Sequence, residues 1–380
     1  MARVTDPVEA ARALAADAAA GAAEGERARR LPSPLVRSLA EAGLFRLCVP
    51  AGVGGLEAPA ATLVECVEAL ARGDAAAGWC VAISATSGLL AAYVPEDTAR
   101  RLYSAETAIA GGVFAPRGRA VAVDGGFRVS GRWPFASGCE HCDWLMGGCV
   151  VERGDGELET LPNGMPDVRL MLAPAGEFDI HDTWHVAGLR ATGSHDIELR
   201  DVFVPADMAA SVISDTPRHA GPLYAFPLFG LLAIAIAGVS LGIARGALDD
   251  FAQLAAKVPT GGRRSLGRRG AVQADIARAE ASVRAARALL LGAIEEAWAG
   301  VDVERRAGLR LAATHAASEC VRATETAYRH GGGSAIYESS PLQRRLRDAQ
   351  TVTQHMLVAP STWELTGRLL LGQPTDTTQL

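Results

Sequence analysis

The chain has 380 residues, of which 49% are hydrophobic and 21% charged. That is the composition of an ordinary globular protein, and it excludes a disordered or fibrous one. A net charge of −6 leaves no basic footprint, which excludes a general nucleic-acid binder. The length suffices to bury a core without staples. Seven cysteines, an odd number, and no apolar leader over residues 1–20 indicate a reduced, cytoplasmic enzyme.

Three stretches differ in periodicity. Residues 1–106 read as a helical domain. Ser33-Pro34 marks a helix start, a Gly-rich break covers 49–57, and Asp74 caps an apolar helix that carries Trp79. Residues 107–215 read as an antiparallel β domain, a barrel or sandwich. Asp124-Gly125-Gly126 joins two alternating runs as a hairpin, and short β runs follow near 144–152, 168–173, 178–186 and 197–204. No ten-residue helical pattern separates these runs, hence the antiparallel expectation. Residues 216–380 read as a four-helix bundle, with helices over 228–254, 271–298, 303–329 and 341–370. The apolar run 228–244 is nearly long enough to span a bilayer, but its Gly and Ala content and the polar periodicity behind it fit a helix buried inside a bundle. No membrane association is expected.

Several local signals carry little. Cys139-Glu140-His141-Cys142 is a single C-x-x-C on a strand, without the second pair that structural zinc needs. Gly52-Val53-Gly54-Gly55 lacks the strand–helix setting of a dinucleotide fingerprint. His181, His185 and His195 lie near strand turns and read as surface or pocket polar groups, with His141 and His185 as candidates to approach a substrate. Thr260-Gly261-Gly262-Arg263-Arg264-Ser265 reads as a candidate phosphate site at the start of the second bundle helix, with a solvated basic loop as the bland alternative.

A helical region, a small β domain and a long helical bundle, in that order, resemble the acyl-CoA dehydrogenase superfamily. Three motifs carry the resemblance: Trp133-Pro134-Phe135-Ala136-Ser137-Gly138 after the hairpin, Gly188-Leu189-Arg190-Ala191-Thr192-Gly193-Ser194 before Val202-Phe203-Val204-Pro205, and Gly331-Gly332-Gly333 with Arg347-Asp348. In the dehydrogenases of that superfamily a carboxylate base commonly follows the Arg-Asp pair. Here the corresponding stretch runs Thr351-Val352-Thr353-Gln354-His355-Met356, and Tyr337-Glu338 precedes Arg347. A histidine in that place, with a serine in the Trp-Pro-Phe strand, resembles the flavin-dependent monooxygenases of two-component systems, and among them the hydroxylases that tailor aromatic polyketides in natural-product biosynthesis.

That resemblance implies an oxygenase component that takes reduced FMN, or FAD, from a separate reductase. It implies reaction with O2 through a flavin C4a-hydroperoxide and hydroxylation of an aromatic or polyketide-like small molecule. His355 and Ser137 are the implied catalytic pair. His serves as a donor held by its other nitrogen, or as a base toward a phenol. Trp133, Phe135, Ser137, Arg263, Ser265 and Arg347 are the implied flavin contacts, and Trp79, His141 and His185 the implied substrate contacts. A homotetramer is expected. An FAD-dependent acyl-CoA desaturase, an amine or amino-sugar N-oxygenase and a catalytically silent binding subunit remain the alternatives.

Overall fold

The computed structural model describes residues 6–258 and 265–380. It begins with α1 (Pro7–Ala28), α2 (Ser33–Glu41), α3 (Ala60–Gly73), α4 (Ala75–Ser87) and α5 (Glu96–Leu102). Asp74 caps α4 through its carboxylate, which accepts from Ala77 N at 3.2 Å. Ser33 does not cap α2: it is the first helical residue, and Pro32 occupies the cap without a side-chain bond.

Seven strands follow: β1 (Ala110–Val123), β2 (Gly126–Ala136), β3 (Trp144–Glu152), β4 (Val168–Pro174), β5 (Asp179–His181), β6 (His195–Pro205) and β7 (Ala209–Ala210). Their order in the sheet is β5-β6-β2-β1-β3-β4-β7. The sheet is mixed rather than antiparallel throughout, because β1 and β3 pair in parallel. The cause is the connection over 137–143. It passes beneath the start of β1 and is pinned there, where Ile109 N donates to Asp143 Oδ2 at 2.9 Å. β3 therefore enters beside Ala110 and runs in the direction of β1. The run expected over 178–186 is a strand only at β5, and the chain from Thr183 to Val186 is irregular.

The rest is helical: α6 (Pro222–Ala225), α7 (Leu228–Ala256), α8 (Gly270–Ala299), α9 (Val303–Gly331), α10 (Pro341–Val352) and α11 (Ser361–Leu370). α7 is the apolar helix seen in the sequence. It is mostly buried, packing on α3 and α9. A β-carbon at Gly242 would fall 2.4 Å from Glu68 O, so only glycine lets α3 and α7 approach so closely. The last segment is two helices where one was expected. Pro360 lacks an N–H and disfavours helical geometry at Ala359, and the chain unwinds over 353–360. α8 likewise begins at Gly270, not near Ser265, which precedes a short 3-10 turn (Leu266–Arg268).

Candidate active site

Two left-handed turns face each other beside the end of the sheet. At the end of β2 the pairing with β6 slips between Trp133 and Ala136, and Phe135 takes φ 68°. A non-glycine residue held there stores strain of the kind found at functional sites. The slip carries Ser137 out of the strand, and Gly138 N donates to Thr192 O at 2.8 Å. On the facing segment Leu189 and Gly193, both with φ 51°, bracket the 3-10 turn Arg190–Thr192.

These turns line up three hydroxyls. Ser137 Oγ lies 2.7 Å from Ser194 Oγ, which lies 2.6 Å from Thr192 Oγ1. The ends of the chain fix its direction. Thr192 donates to the Leu189 carbonyl at 2.8 Å, and Trp79 Nε1, which is donor only, donates to Ser137 Oγ at 2.9 Å. Each hydroxyl proton therefore points toward Leu189, so Ser137 donates to Ser194. Ser137 Oγ keeps one lone pair beyond the bond from Trp79.

Trp79 also meets His355. The two rings are 5.7 Å apart at an interplanar angle of 69°. His355 lies in the turn beyond α10, not on a helix. Its Nδ1 accepts from Leu357 N at 3.3 Å, so in the neutral ring the proton resides on Nε2. Burial, reinforced by the Arg310 guanidinium, pushes His355 down to about 4, so the ring is neutral at ordinary pH.

The facing turn is fixed from the bundle. A β-carbon at Gly188 would fall 2.2 Å from Arg347 O, so α10 lies directly on that backbone. Asp348 Oδ1 accepts from Leu189 N at 2.6 Å. The Leu189 carbonyl then takes both Thr192 Oγ1 and, at 3.0 Å, Trp184 Nε1. Trp184 in turn sets its ring edge-on to Phe135, at 6.1 Å.

Of the residues singled out in the sequence, Ser137, Trp79 and His355 come together. Phe135 is 68% exposed beside them. His141 ends the 3-10 turn Cys139–His141 and is half-buried. Burial first, and then Arg30, push it down to about 4.

The other expected contacts fall elsewhere. Trp133 is a core residue with no exposed surface; its Nε1 donates to Gly148 O at 2.7 Å. β-carbons at Gly118, Gly131 and Gly147 would fall 2.3, 2.7 and 2.4 Å from its ring, so three glycines make its room. The expected flavin contact from Trp133 is therefore corrected to sheet packing. His185 is exposed on the surface beside Asp182 and Arg29. Arg347 is engaged by Glu26, Gln343 Oε1 and the Ala187 carbonyl, so it ties α10 to α1 and the facing turn rather than offering a free cation. Ser265 does not open a helix, and Arg263 lies outside the described residues.

Thr192, Ser194, Asp348 and Arg310 were not anticipated. Two hydroxyl residues flanking Gly193 in the Arg-Ala-Thr-Gly-Ser run are the signal that marks the first two. Cys80, Cys139 and Cys142 cluster near Gly138, but burial pushes each thiol up, and no metal-binding group of His, Cys, Asp or Glu occurs among the described residues.

Comparison with known proteins adds the chemical context. Residues 6–102 match the family described as acyl-CoA dehydrogenase, N-terminal domain, and residues 234–360 that described as acyl-CoA dehydrogenase, C-terminal domain. The chain is 34% identical over 359 residues to an indole-3-acetate monooxygenase of Pseudomonas putida, spanning 92% of this chain and 90% of that one. It is 30% identical over 373 residues to the oxygenase component of an FADH2-dependent resorcinol hydroxylase of Rhizobium sp., spanning 92% and 89% of the two. Among solved structures it resembles XiaF from Streptomyces sp. in complex with FADH2 and glycerol. That likeness has a TM-score of 0.87 and 28% identity, and covers 97% of this chain and 95% of the other.

Proposed function

We propose a chemistry for this site from one premise: the chain belongs to the acyl-CoA dehydrogenase family and, within it, to the flavin-dependent monooxygenases that are the oxygenase components of two-component systems. It is an oxidoreductase that uses reduced flavin and dioxygen to hydroxylate an aromatic substrate. The reduced flavin, delivered by a separate reductase, supplies the electrons that split dioxygen into a transferable oxygen atom and water.

The residues of the site fit such a group. Phe135 and Trp184 present aromatic surface at the mouth, and the Ser137 lone pair awaits a donor. Arg190 Nε is buried without an acceptor among the described residues. A lone pair at Ser137 Oγ suits the N–H of a reduced isoalloxazine better than the lone pair of an oxidised one. Two relatives carry FADH2 in their descriptions, which supports reduced flavin, FMN or FAD, as the form the site takes.

His355 is the catalytic donor in this reading. Its Nε2–H is directed by the bond at Nδ1 and offers a hydrogen bond to the oxygen destined for the product. Trp79 and the buried hydroxyl chain keep water from competing there. A ring that resists protonation and already carries its proton on Nε2 suits a donor better than a base. The observation that carries the reading is the Trp79 indole, which bonds Ser137 and packs against His355 at once.

The test is to supply chemically reduced FAD or FMN under ¹⁸O2 with phenolic and indolic acceptors. Incorporation of one labelled atom into product, with no acyl-CoA oxidation, is the expected result. A tightly held FAD bleached by acyl-CoA overturns it. Exposed apolar side chains at Ile336, Tyr337, Leu370 and Leu371, 66–77% exposed, fit self-association, and the assembly we propose is a homotetramer. A stable monomer in light scattering contradicts that assembly.

A further inference from the structure

We propose that Arg310 is a positioning residue for His355, a buried guanidinium that fixes through the Leu357 peptide which ring nitrogen carries the proton. The proposal rests on His355 being the donor described above. Arg310 projects from α9 and is 3% exposed. No carboxylate lies within ion-pair distance of it among the described residues. Its Nη2 donates to Leu357 O at 3.3 Å and to Thr362 Oγ1 at 3.5 Å, its Nη1 donates to Gln379 O, and its Nε has no acceptor there.

Leu357 is thus used at both ends. Its carbonyl is held by Arg310 and its N–H is given to His355 Nδ1. An arginine is an expensive way to satisfy two carbonyls and a hydroxyl, because an unpaired buried cation carries a desolvation cost that neutral amide donors avoid. What the charge adds is a field. A second cation at His355 is disfavoured, and a protonated Nδ1 would face the Leu357 N–H donor to donor. Geometry and field therefore select the same state, neutral with Nε2–H. No other charge competes at the ring: α4 presents Trp79, the neighbouring Gln354 and Met356 are uncharged, and among the described residues no carboxylate lies within 4 Å of it.

The test uses the full-length protein with side-chain ¹⁵N-labelled histidine, His355 being assigned by loss of its signal in His355→Ala. In the parent protein His355 is expected as the Nε2–H tautomer, titrating well below the ordinary value of about 6.5. Arg310→Gln is expected to move that titration upward by about one unit or more, with the ratio of hydroxylated product to hydrogen peroxide falling about twofold near pH 5 and recovering by about pH 7. Flavin affinity is expected to stay as in the parent. Arg310→Lys keeps the charge and is expected to restore the low titration and the flat pH profile.

A parent His355 found as Nδ1–H, or titrating near its ordinary value, overturns the proposal without any variant. So does an Arg310→Gln protein with parental titration and pH profile. If Arg310→Gln does not fold, the parent titration and Arg310→Lys decide. Failure of the site reading looks different: His355→Ala would then couple oxygen to product as the parent does, whatever Arg310 does to the ring.

Discussion

Ser137 and His355 meet the same indole, one by a hydrogen bond and one ring to ring, and they are held by unlike means. On the sheet side, Ser137 is one of three hydroxyls whose bonds run from Trp79 Nε1 to the Leu189 carbonyl. Each position there is set twice, by a strained backbone turn and by the next hydroxyl. On the bundle side, His355 sits in an irregular turn between α10 and α11 and is oriented by one backbone N–H, itself held by Arg310. The sheet wall is redundant and the bundle wall is a single thread. Loss of one group should therefore be absorbed on the first wall and felt in full on the second.

His355→Ala is the sharpest break. Removing one well-placed donor to a developing charge costs about a hundredfold in rate. The variant should still consume reduced flavin and oxygen but release mostly hydrogen peroxide, measured by a peroxide assay beside product chromatography. Because His355 lies outside any helix, its fold should be unaffected, and the thermal midpoint checks this.

Ser137→Ala should act in the same direction but less strongly, by about tenfold in coupled product, the scale of one hydrogen bond in a site where others remain. It should also weaken the preference for reduced over oxidised flavin, read by fluorescence titration of each form. An effect as large as that of His355→Ala would show that the hydroxyl chain is not redundant.

A second comparison sets the acid limb of stability against the alkaline limb. Burial raises the Asp348 carboxyl to about 7, with Asp74 adding to the effect and the bond from Leu189 N opposing it. The folded state then holds a proton that the unfolded chain loses near 4. The stability it adds is complete at low pH and is lost as pH rises through about 7. His141 and His355, both pushed down to about 4, act oppositely: their contribution is present above about 6.5 and is lost as pH falls toward 4. A stability maximum between these limbs is expected. Asp348→Asn keeps an oxygen for Leu189 N and removes the charge, so it should raise the thermal midpoint at pH 8 relative to the parent, by roughly 1–2 °C per kcal/mol. It should do little below about pH 4, where the carboxyl is protonated in both states. Equal shifts at both pH values would remove Asp348 as the source of the alkaline limb.

The sequence made the larger architecture legible because each third of the chain has its own period, and the Asp74 cap and the 124–126 hairpin turn stand where expected. Ser137 and His355 were legible only through the resemblance of their surrounding motifs, since a serine after a strand and a histidine after an Arg-Asp pair have no periodicity of their own. Trp133 was misplaced because alternation alone does not tell which face of a strand meets the core. The glycines at 118, 131 and 147 that clear its ring lie on three different strands, and only the register brings them together. Arg310 and Asp348 were invisible for a related reason. Their partners are backbone groups 47 and 159 residues away, and backbone groups leave no trace in residue identity.

The smallest expected effect is at Glu338. It follows Tyr337 on the exposed turn leading into α10, and its backbone carbonyl accepts from Gln343 Nε2 at 3.2 Å. A carboxylate that removes a proton from a substrate carbon must reach that carbon and must be shielded from water, or its basicity is spent on solvent. Glu338 is exposed and belongs to neither wall of the site. Glu338→Gln should therefore change coupled hydroxylation by less than about twofold, the level at which surface substitutions away from a site are felt. If it abolished turnover while His355→Ala retained it, the acid–base centre would lie on the α10 approach. The contrast between a redundant sheet wall and a thread-like bundle wall would then describe packing rather than catalysis.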